Sequence, residues 1–373
     1  MTNLSVIMDD KLCEVEVEHG LIIMYSGDMH EASPAVKMPY EEAIACMQRY
    51  ESQKAIKILK SCFQAENTPS QRTALNMLIS DCLLMESSLS GAENGYWDAL
   101  ALARDRDDRV APVAGLNNIG IIYRARQWFN KSLHIHKVVL RLCIDLGIQQ
   151  GRATQLSNIG DIHQITGEQD KALICYEQAL DICRNFKNQR GEARQLSNVG
   201  MVYQKRNELD KALNYFGQAV NIYQVIGDRL GQAAQLDNAG AIYRHKHLQD
   251  KALECFSQSL AIYQDFGNRW KQGALMSSIG HLHRDRGDLD DALRWYQQAM
   301  RIEQVVGNRR GEADQLTHMG IIYHSKGEMA KALRQYEQAK GIYGLLGEDA
   351  KVEMIKQNIR VGAEKEQFWA EYL

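Results

Sequence analysis

The chain has 373 residues, 45% of them apolar and 24% charged, and its 44 basic and 47 acidic residues leave a formal net charge of −3. That size fits two or three ordinary domains or one extended array. The charge balance gives neither the basic footprint of a nucleic-acid binder nor a polybasic membrane patch. No run approaches the roughly 20 apolar residues needed to span a bilayer. The N-terminal MTNLSVIMDDKL lacks a basic stretch followed by a long apolar one, so no signal peptide and a cytoplasmic location are expected.

Residues 1–38 differ from the rest. Val15 and Val17 alternate with glutamates, and an apolar run from Leu21 to Tyr25 follows His19 and Gly20. This pattern fits a small hairpin. It fits equally an extended tail packed on the first repeat. The four prolines are Pro34, Pro39, Pro69 and Pro112, and a chain without that breaker beyond Pro112 is expected to be mostly helical. Over 39–109, Lys54-Ala55-Ile56 and Asp98-Ala99-Leu100 read as starts of second helices, so two irregular hairpins are expected at about 40–66 and 70–106.

From residue 110 the chain repeats itself. Gly120, Gly160, Gly200, Gly240, Gly280 and Gly320 are spaced by 40 each time, and each is preceded four residues earlier by Leu or Met. Tyr or His follows three residues later, then a small residue and Leu, as in Ala172-Leu173 and Ala212-Leu213. A ring comes next at His136, Tyr176, Phe216, Phe256, Tyr296 and Tyr336. Six units in one register mean a solenoid. Each unit reads as two helices. Ala193, Leu196, Val199, Gly200 and Tyr203 form one helical stripe, and Ala212, Leu213, Phe216, Ala219, Val220 and Ile222 form the next. Gly227 ends the second helix in the left-handed conformation, and Asp228, Asn268 and Asn308 are the expected N-caps of following units. Residues 349–373 read as one amphipathic helix with Phe368, Trp369 and Tyr372 near its end, expected to cap the array.

The eight cysteines include no CxxC and no paired metal spacing, and read as small buried hydrophobes. Cys143 and Cys183 hold one position in successive units, but stacked helices about 8–10 Å apart are too distant for a disulfide.

Leu196, Val199, Gly200, Tyr203, Ala212, Phe216 and Ala219, with their counterparts in the other five units, resemble the tetratricopeptide repeat. The usual unit is 34 residues with a proline after its second helix; here it is 40 and glycine stands in place of proline. The phrase GDRLGQAAQLDNAGAIY, from Gly227 to Tyr243, is similar to the long-helix subclass of the Pins/LGN polarity adaptors and of many bacterial regulators, with kinesin light chains a further relative. The resemblance implies an all-α fold, a right-handed superhelix of about eight hairpins with a C-terminal capping helix. It also implies that each unit's first helix lines a concave groove that binds peptides.

In that register the groove carries an asparagine ladder, Asn118, Asn158, Asn198 and Asn238, whose amides suit the backbone of an extended peptide. Arg194, Met201, Lys205, His281 and His318 flank it as candidate peptide-binding residues. The face is nearly neutral, unlike one built for phosphate. There is no P-loop, HExxH or nucleophile elbow. The HxH pairs His134/His136, His245/His247 and His281/His283 point about 200° apart on a helix and do not converge on an ion. His163 and His283 stand at the position of a packing tyrosine and are expected to face the core. No catalytic residue, metal or cofactor is expected. The expected function is a non-enzymatic adaptor that holds a protein or peptide partner in the groove, without nucleic acid or membrane, and that could self-associate through its terminal repeats. The alternative is a regulator that senses a ligand or signal peptide and acts in trans on a partner.

Overall fold

A computed structural model describes residues 7–9, 12–17, 20–25, 32–48, 51–62, 68–104 and 108–372, with side chains over 32–34, 36–47, 51–62, 68–104 and 108–360. The chain divides into two compact units, Met1–Asn207 and Glu208–Leu373.

The first unit opens with three strands, β1 (Ile7–Asp9), β2 (Leu12–Val17) and β3 (Gly20–Tyr25). They form one antiparallel sheet in the order β1-β2-β3, with Glu14 opposite Ile23 and Val15 opposite Ile22. Strands β2 and β3 pair directly, and β1 adds a third strand that the alternation at Val15 and Val17 does not announce. Nine helices follow: α1 (Pro34–Gln48), α2 (Ser52–Cys62), α3 (Pro69–Met85), α4 (Leu89–Arg104), α5 (Ala111–Ala125), α6 (Phe129–Asp145), α7 (Gln149–Ile165), α8 (Gln169–Asn185) and α9 (Gln189–Lys205). Helix α1 starts at Pro34 and carries Pro39 inside it. Helix α3 starts on a capping box: the Gln71 amide donates to the Thr68 hydroxyl and the Thr68 amide donates to the Gln71 side chain.

The second unit holds α10 (Leu209–Val225), α11 (Arg229–His245), α12 (Gln249–Asp265), α13 (Arg269–Arg286), α14 (Leu289–Val306), α15 (Arg309–Ser325), α16 (Met329–Leu345) and α17 (Asp349–Tyr372). In sequence order α1 to α8 make four hairpins followed by α9 in the first unit, and α11 to α16 make three hairpins between α10 and α17 in the second, an α-solenoid as the repeat implies. Among the described residues no helix is long and apolar enough to cross a membrane.

In five of the 40-residue units, at Gly120, Gly160, Gly240, Gly280 and Gly320, the glycine sits where a side chain could not. A Cβ at Gly160 would lie 2.6 Å from the Tyr176 ring, one at Gly240 2.7 Å from Phe256, and one at Gly280 2.7 Å from Tyr296. The rings themselves are almost wholly buried. Glycine thus lets the two helices of a hairpin close until the ring of the second fills the notch in the first. The hairpins are joined by tight turns. The Asp228 amide donates to the Tyr223 carbonyl (2.9 Å) across Gly227, which takes φ +72°. Lys187 fills that place in one unit and accepts the left-handed conformation at φ +54°, where an L side chain is unfavourable. The expected caps form: Asp228 accepts from the Gly231 amide (3.0 Å), Asn268 from Lys271 (3.2 Å) and Asn308 from Gly311 (3.0 Å). Asn188 does the same for Gly191 (2.9 Å).

Within each unit, ion pairs at matching positions tie neighbouring hairpins together. Arg206 meets Asp170 in the first unit, and Lys246 meets Asp210, Arg286 meets Asp250 and Lys326 meets Asp290 in the second. The three aspartate side chains of the second unit are 81–98% exposed, so water and salt screen these pairs and they add little stability. Burial of Leu196, Leu236, Leu275 and Ile279 does more of the work. Helix α17 packs on α16, burying Ile355 against a cluster that includes Tyr336 and Tyr343. Phe368, Trp369 and Tyr372 lie on α17, but their side chains fall outside the described residues. Among the described residues no cysteine is in a disulfide, and Cys46, Cys62, Cys82, Cys143 and Cys183 are buried. Burial pushes the Cys143 thiol up to about 12, which keeps it inert. Cys13 falls outside the described side chains.

The notch predicts a sign reversal. Alanine normally gains about 1 kcal/mol over glycine inside a helix. At Gly240 the overlap with Phe256 should outweigh this, leaving Gly240→Ala destabilised by about 1–3 kcal/mol. Trimming the ring in a Gly240→Ala/Phe256→Leu double variant should recover part of that loss relative to additivity. Denaturant melts of the four proteins in this cycle check it. Strict additivity would contradict the notch.

Candidate binding faces of the first helices

Helices α5, α7 and α9 in the first unit, and α11, α13 and α15 in the second, carry the same register positions. Their exposure differs at the earlier positions of the register and not at the later ones, where Asp161 is half-buried and Ile165 exposed just as Ala241 and His245 are. In α5 and α7, Ala114, Asn118, Ile121, Thr154 and Asn158 are buried to 1% exposure or less. In α11, α13 and α15, Ala234, Asn238, Ala241, Ser278, His281, Asp314, His318 and Ile321 are half-buried, and Ala274 is exposed. The sheet accounts for the difference. Strand β3 lies along α5 and also meets α3 and α7, and β1 meets α7. Helix α9, beyond those contacts, leaves Arg194, Asn198 and Met201 half-buried and Lys205 exposed.

The asparagine ladder therefore divides. The Asn118 amide donates to Asp81 Oδ1 (2.9 Å) and to the Tyr96 hydroxyl oxygen (3.3 Å), while its own carbonyl accepts from Asn117 (2.8 Å). Asn158 donates to Asn117 Oδ1 (3.0 Å). Gln155 donates to the same oxygen (3.0 Å) and holds His136 Nδ1 at 2.9 Å. Tyr96 donates to Asp81 Oδ1 (2.5 Å). These residues form a buried polar network running through α3, α4, α5, α6 and α7. Asn118 and Asn158 are both 1% exposed and bonded within this network, so in this structure neither lies open to a peptide. Asn198 and Asn238 stand differently. Each is half-buried, with long amide contacts to Gln195 (3.5 Å) and Gln235 (3.3 Å), and Asn198 also reaches Ser157 Oγ (3.4 Å).

In the second unit two histidines of the same register come together. The His281 and His318 rings are 4.5 Å apart and edge-on. His281 Nδ1 shares a hydrogen bond with the Tyr296 hydroxyl (2.7 Å), and Tyr296 stacks on His318 at 5.2 Å. His318 Nδ1 is shut from solvent and has no hydrogen-bond partner. Burial lowers His281 to about 3, helped by His318, Arg284 and Arg244. Burial also lowers His318 to about 4, against the pull of Asp314. Both imidazoles are thus neutral near pH 7. Asp314 accepts from the Tyr343 hydroxyl (2.7 Å) and from Lys351 (2.9 Å). The face offers neutral donors and acceptors beside small apolar residues, a surface suited to peptide backbone.

Among the described residues no group of three His, Cys, Asp or Glu is placed to hold a metal. His163 is buried and His283 half-buried, beside Glu168 and Asp288 respectively. Sequence reading missed Asp81, Tyr96, Asn117 and Gln155. Asp81 and Tyr96 lie in the decayed repeats, and Gln155 recurs in the array as a plain repeat residue. The one available sign was Asn117, which stands where other units have Ser157, Ser197 or Thr317.

The histidines make stability pH-dependent. Their folded pKa values lie below the ordinary 6.5, so as pH falls through 6.5 the unfolded chain takes up protons that the native state refuses. His281, His318 and the fully buried His136, lowered to about 4, should each cost up to about 2 kcal/mol between pH 6.5 and 5. Asp81, raised by burial to about 7, acts oppositely, one group against three. Denaturant titrations at pH 7 and pH 5 should show a loss at the lower value. That loss should shrink in His281→Gln/His318→Gln. An equal loss in wild type and variant would contradict the neutral pair.

Tetratricopeptide repeat family models match residues 192–265 and 272–343, and a second such model matches 156–186. No curated protein sequence matches the chain. Three solved structures show its fold. The apo form of RapI is 12% identical at a TM-score of 0.62, covering 89% of this chain and 98% of that one. A Rap protein complexed with Competence and Sporulation Factor is 12% identical at 0.54, covering 88% and 98%. The apo quorum sensor NprR from B. thuringiensis is 12% identical at 0.54, also covering 88% and 98%. The matched segments are tetratricopeptide repeats, and the chain has the tetratricopeptide-like α-solenoid fold.

Proposed function

We propose that the protein is a non-enzymatic, cytoplasmic adaptor of the 40-residue Pins/LGN-like kind, holding a peptide segment or partner helix on the open faces of its first helices. One observation carries this reading: the two register positions that Ala114 and Asn118, and Thr154 and Asn158, keep buried on α5 and α7 are open on α11, α13 and α15. Asn238, Ser278, His281 and His318 present neutral hydrogen-bonding groups there, and the charge of Asp314 is already matched by Lys351. Such a surface reads backbone and small side chains rather than phosphate. On α9, Arg194, Met201 and Lys205 would set side-chain preference beside Asn198.

A second reading is a peptide-sensing regulator that acts in trans. It is favoured by the nature of the structural neighbours, a Rap protein complexed with a Competence and Sporulation Factor and a quorum sensor. Both readings put a peptide on the same faces and differ in the consequence of binding.

The test begins with a partner recovered on the full chain and identified by mass spectrometry. Titration of that partner against Asn238→Ala/His318→Ala should show binding weaker by about 1–3 kcal/mol, from two hydrogen bonds of roughly 0.5–1.5 each. The circular-dichroism melt should move little. Unchanged affinity would remove these faces as the site.

A further inference from the structure

The turns between hairpins carry apolar side chains that the fold leaves in water. In the second unit α10 leads into α11, α12 into α13, α14 into α15 and α16 into α17. Consecutive helices pack on each other as antiparallel neighbours, and two of them separate one such turn from the next. The four turns therefore return to one edge of the stack. Val225, Phe266, Trp270, Val305, Leu345 and Leu346 stand there and are all exposed, Val225 by 76%, Val305 by 61% and Leu345 by 84%. Single exposed apolar residues are ordinary. Recurrence along one edge is not, and an apolar patch rimmed by charge marks a contact surface.

The register shows what these side chains replace. Arg229 pairs with Asp265 (2.8 Å), 36 residues further on. The same step from Arg269 reaches Val305, and from Arg309 it reaches Leu345. A position that holds a solvated acid in one turn thus holds a bare aliphatic side chain in the next two.

Charge selects the occupant. Residues 225–230, 265–270, 305–310 and 345–350 contain four arginines and four acids, so the edge as a whole is neutral and suits neither nucleic acid nor an anionic lipid surface. The signs are unevenly placed. Arg309 and Arg310 make the third turn doubly positive, and Glu348 and Asp349 make the fourth doubly negative. An antiparallel copy of this edge sets each of these turns against its opposite, twice over. It also repeats the same spacing between turns, because the same stack sets it. Within the chain Arg309 pairs with Glu312 and Arg310 with Glu348, but both arginine side chains are at least 60% exposed. Pairs so open to water add little stability, so either arginine can turn to another acid with little loss.

We infer that the turn edge of the second unit is a homodimer contact, covered by a second copy of this chain lying antiparallel across it. The two-fold axis passes between the 305–310 and 345–350 turns. Arg309 and Arg310 of each copy face Glu348 and Asp349 of the other, and Val305 and Leu345 are buried across the axis. Such a contact is isologous and closes at two copies. It gives self-association a definite surface in the turns and leaves the faces carrying Asn238 and His318 free.

Sedimentation velocity of the full chain over a concentration series tests this. Wild type should pass from monomer to dimer. Arg309→Glu/Arg310→Glu and Glu348→Lys/Asp349→Lys should each dimerise at least tenfold more weakly. A one-to-one mixture of those two variants should regain the dimer, because each then meets the opposite charge in both contacts. Val305→Ser/Leu345→Ser, at exposed positions, should also weaken the dimer at least tenfold, and it keeps the question open to test if a charge reversal fails to fold. Circular-dichroism melts establish which variants fold. Asn238→Ala/His318→Ala should dimerise as wild type does. The inference is overturned if wild type stays monomeric throughout the series, or if its dimer survives the charge reversals and the serine variant alike. A mixture of folded charge variants no better associated than its components would overturn it too.

Discussion

The contact on which this molecule depends is a glycine on one helix pressed against a ring on the next. Helix axes normally pack about 8–10 Å apart, with the distance set by the side chains between them. At Gly160, Gly240, Gly280 and Gly320 there is no side chain, and the aromatic ring of the following helix takes the space, 2.5–2.7 Å from where a Cβ would be. At Gly120 the ring is that of His136, with a Cβ at 2.7 Å. Because the contact recurs in one register, it fixes which face of α5, α7, α11, α13 and α15 turns inward to its partner. The face carrying Asn238, Ser278 and His318 is what remains. Function, in this account, is written on the residue positions that hairpin packing does not consume.

What happens to that remaining face depends on its neighbours. On α13 and α15, His281, His318 and Tyr296 gather into one ring cluster. It is buried enough to hold both imidazoles neutral and open enough to stay accessible. On α5 and α7 the sheet closes the face and leaves a polar network in the dark. That network tolerates burial because most of its members are hydrogen-bonded to each other. Two of its buried oxygens, Asp81 Oδ2 and Asn158 Oδ1, lack hydrogen-bond partners and are where the arrangement falls short. The exposed ion pairs, such as Arg286 with Asp250, add alignment between hairpins and little stability.

Much of this was legible in the sequence. The 40-residue period, the glycine and ring positions and the caps at Asp228, Asn268 and Asn308 are local patterns, and local patterns survive into structure because each hairpin contacts mainly its neighbours. The divided fate of the asparagine ladder was not legible. Asn118, Asn158, Asn198 and Asn238 are the same residue in the same register, and only a contact far apart in sequence, between β3 and α5, separates them. Neither could the meeting of His281 with His318 be read from one repeat, since it joins two. Asp81 and Tyr96 lie upstream of the regular units, where the period no longer marks equivalent positions.

One register position lies buried on α5, against which β3 packs, and open on α13 of the second unit. Ala114 and Ala274 hold that position; Ala114 is 1% exposed and Ala274 is exposed. Single cysteines placed at each, Ala114→Cys and Ala274→Cys, can be timed against a maleimide, with the wild-type thiols as background. Labelling at 274 should run at the rate of an open thiol and at 114 at least a hundredfold more slowly. Equal fast rates at both positions would mean that the sheet does not cover α5, and the account of the two faces would fall.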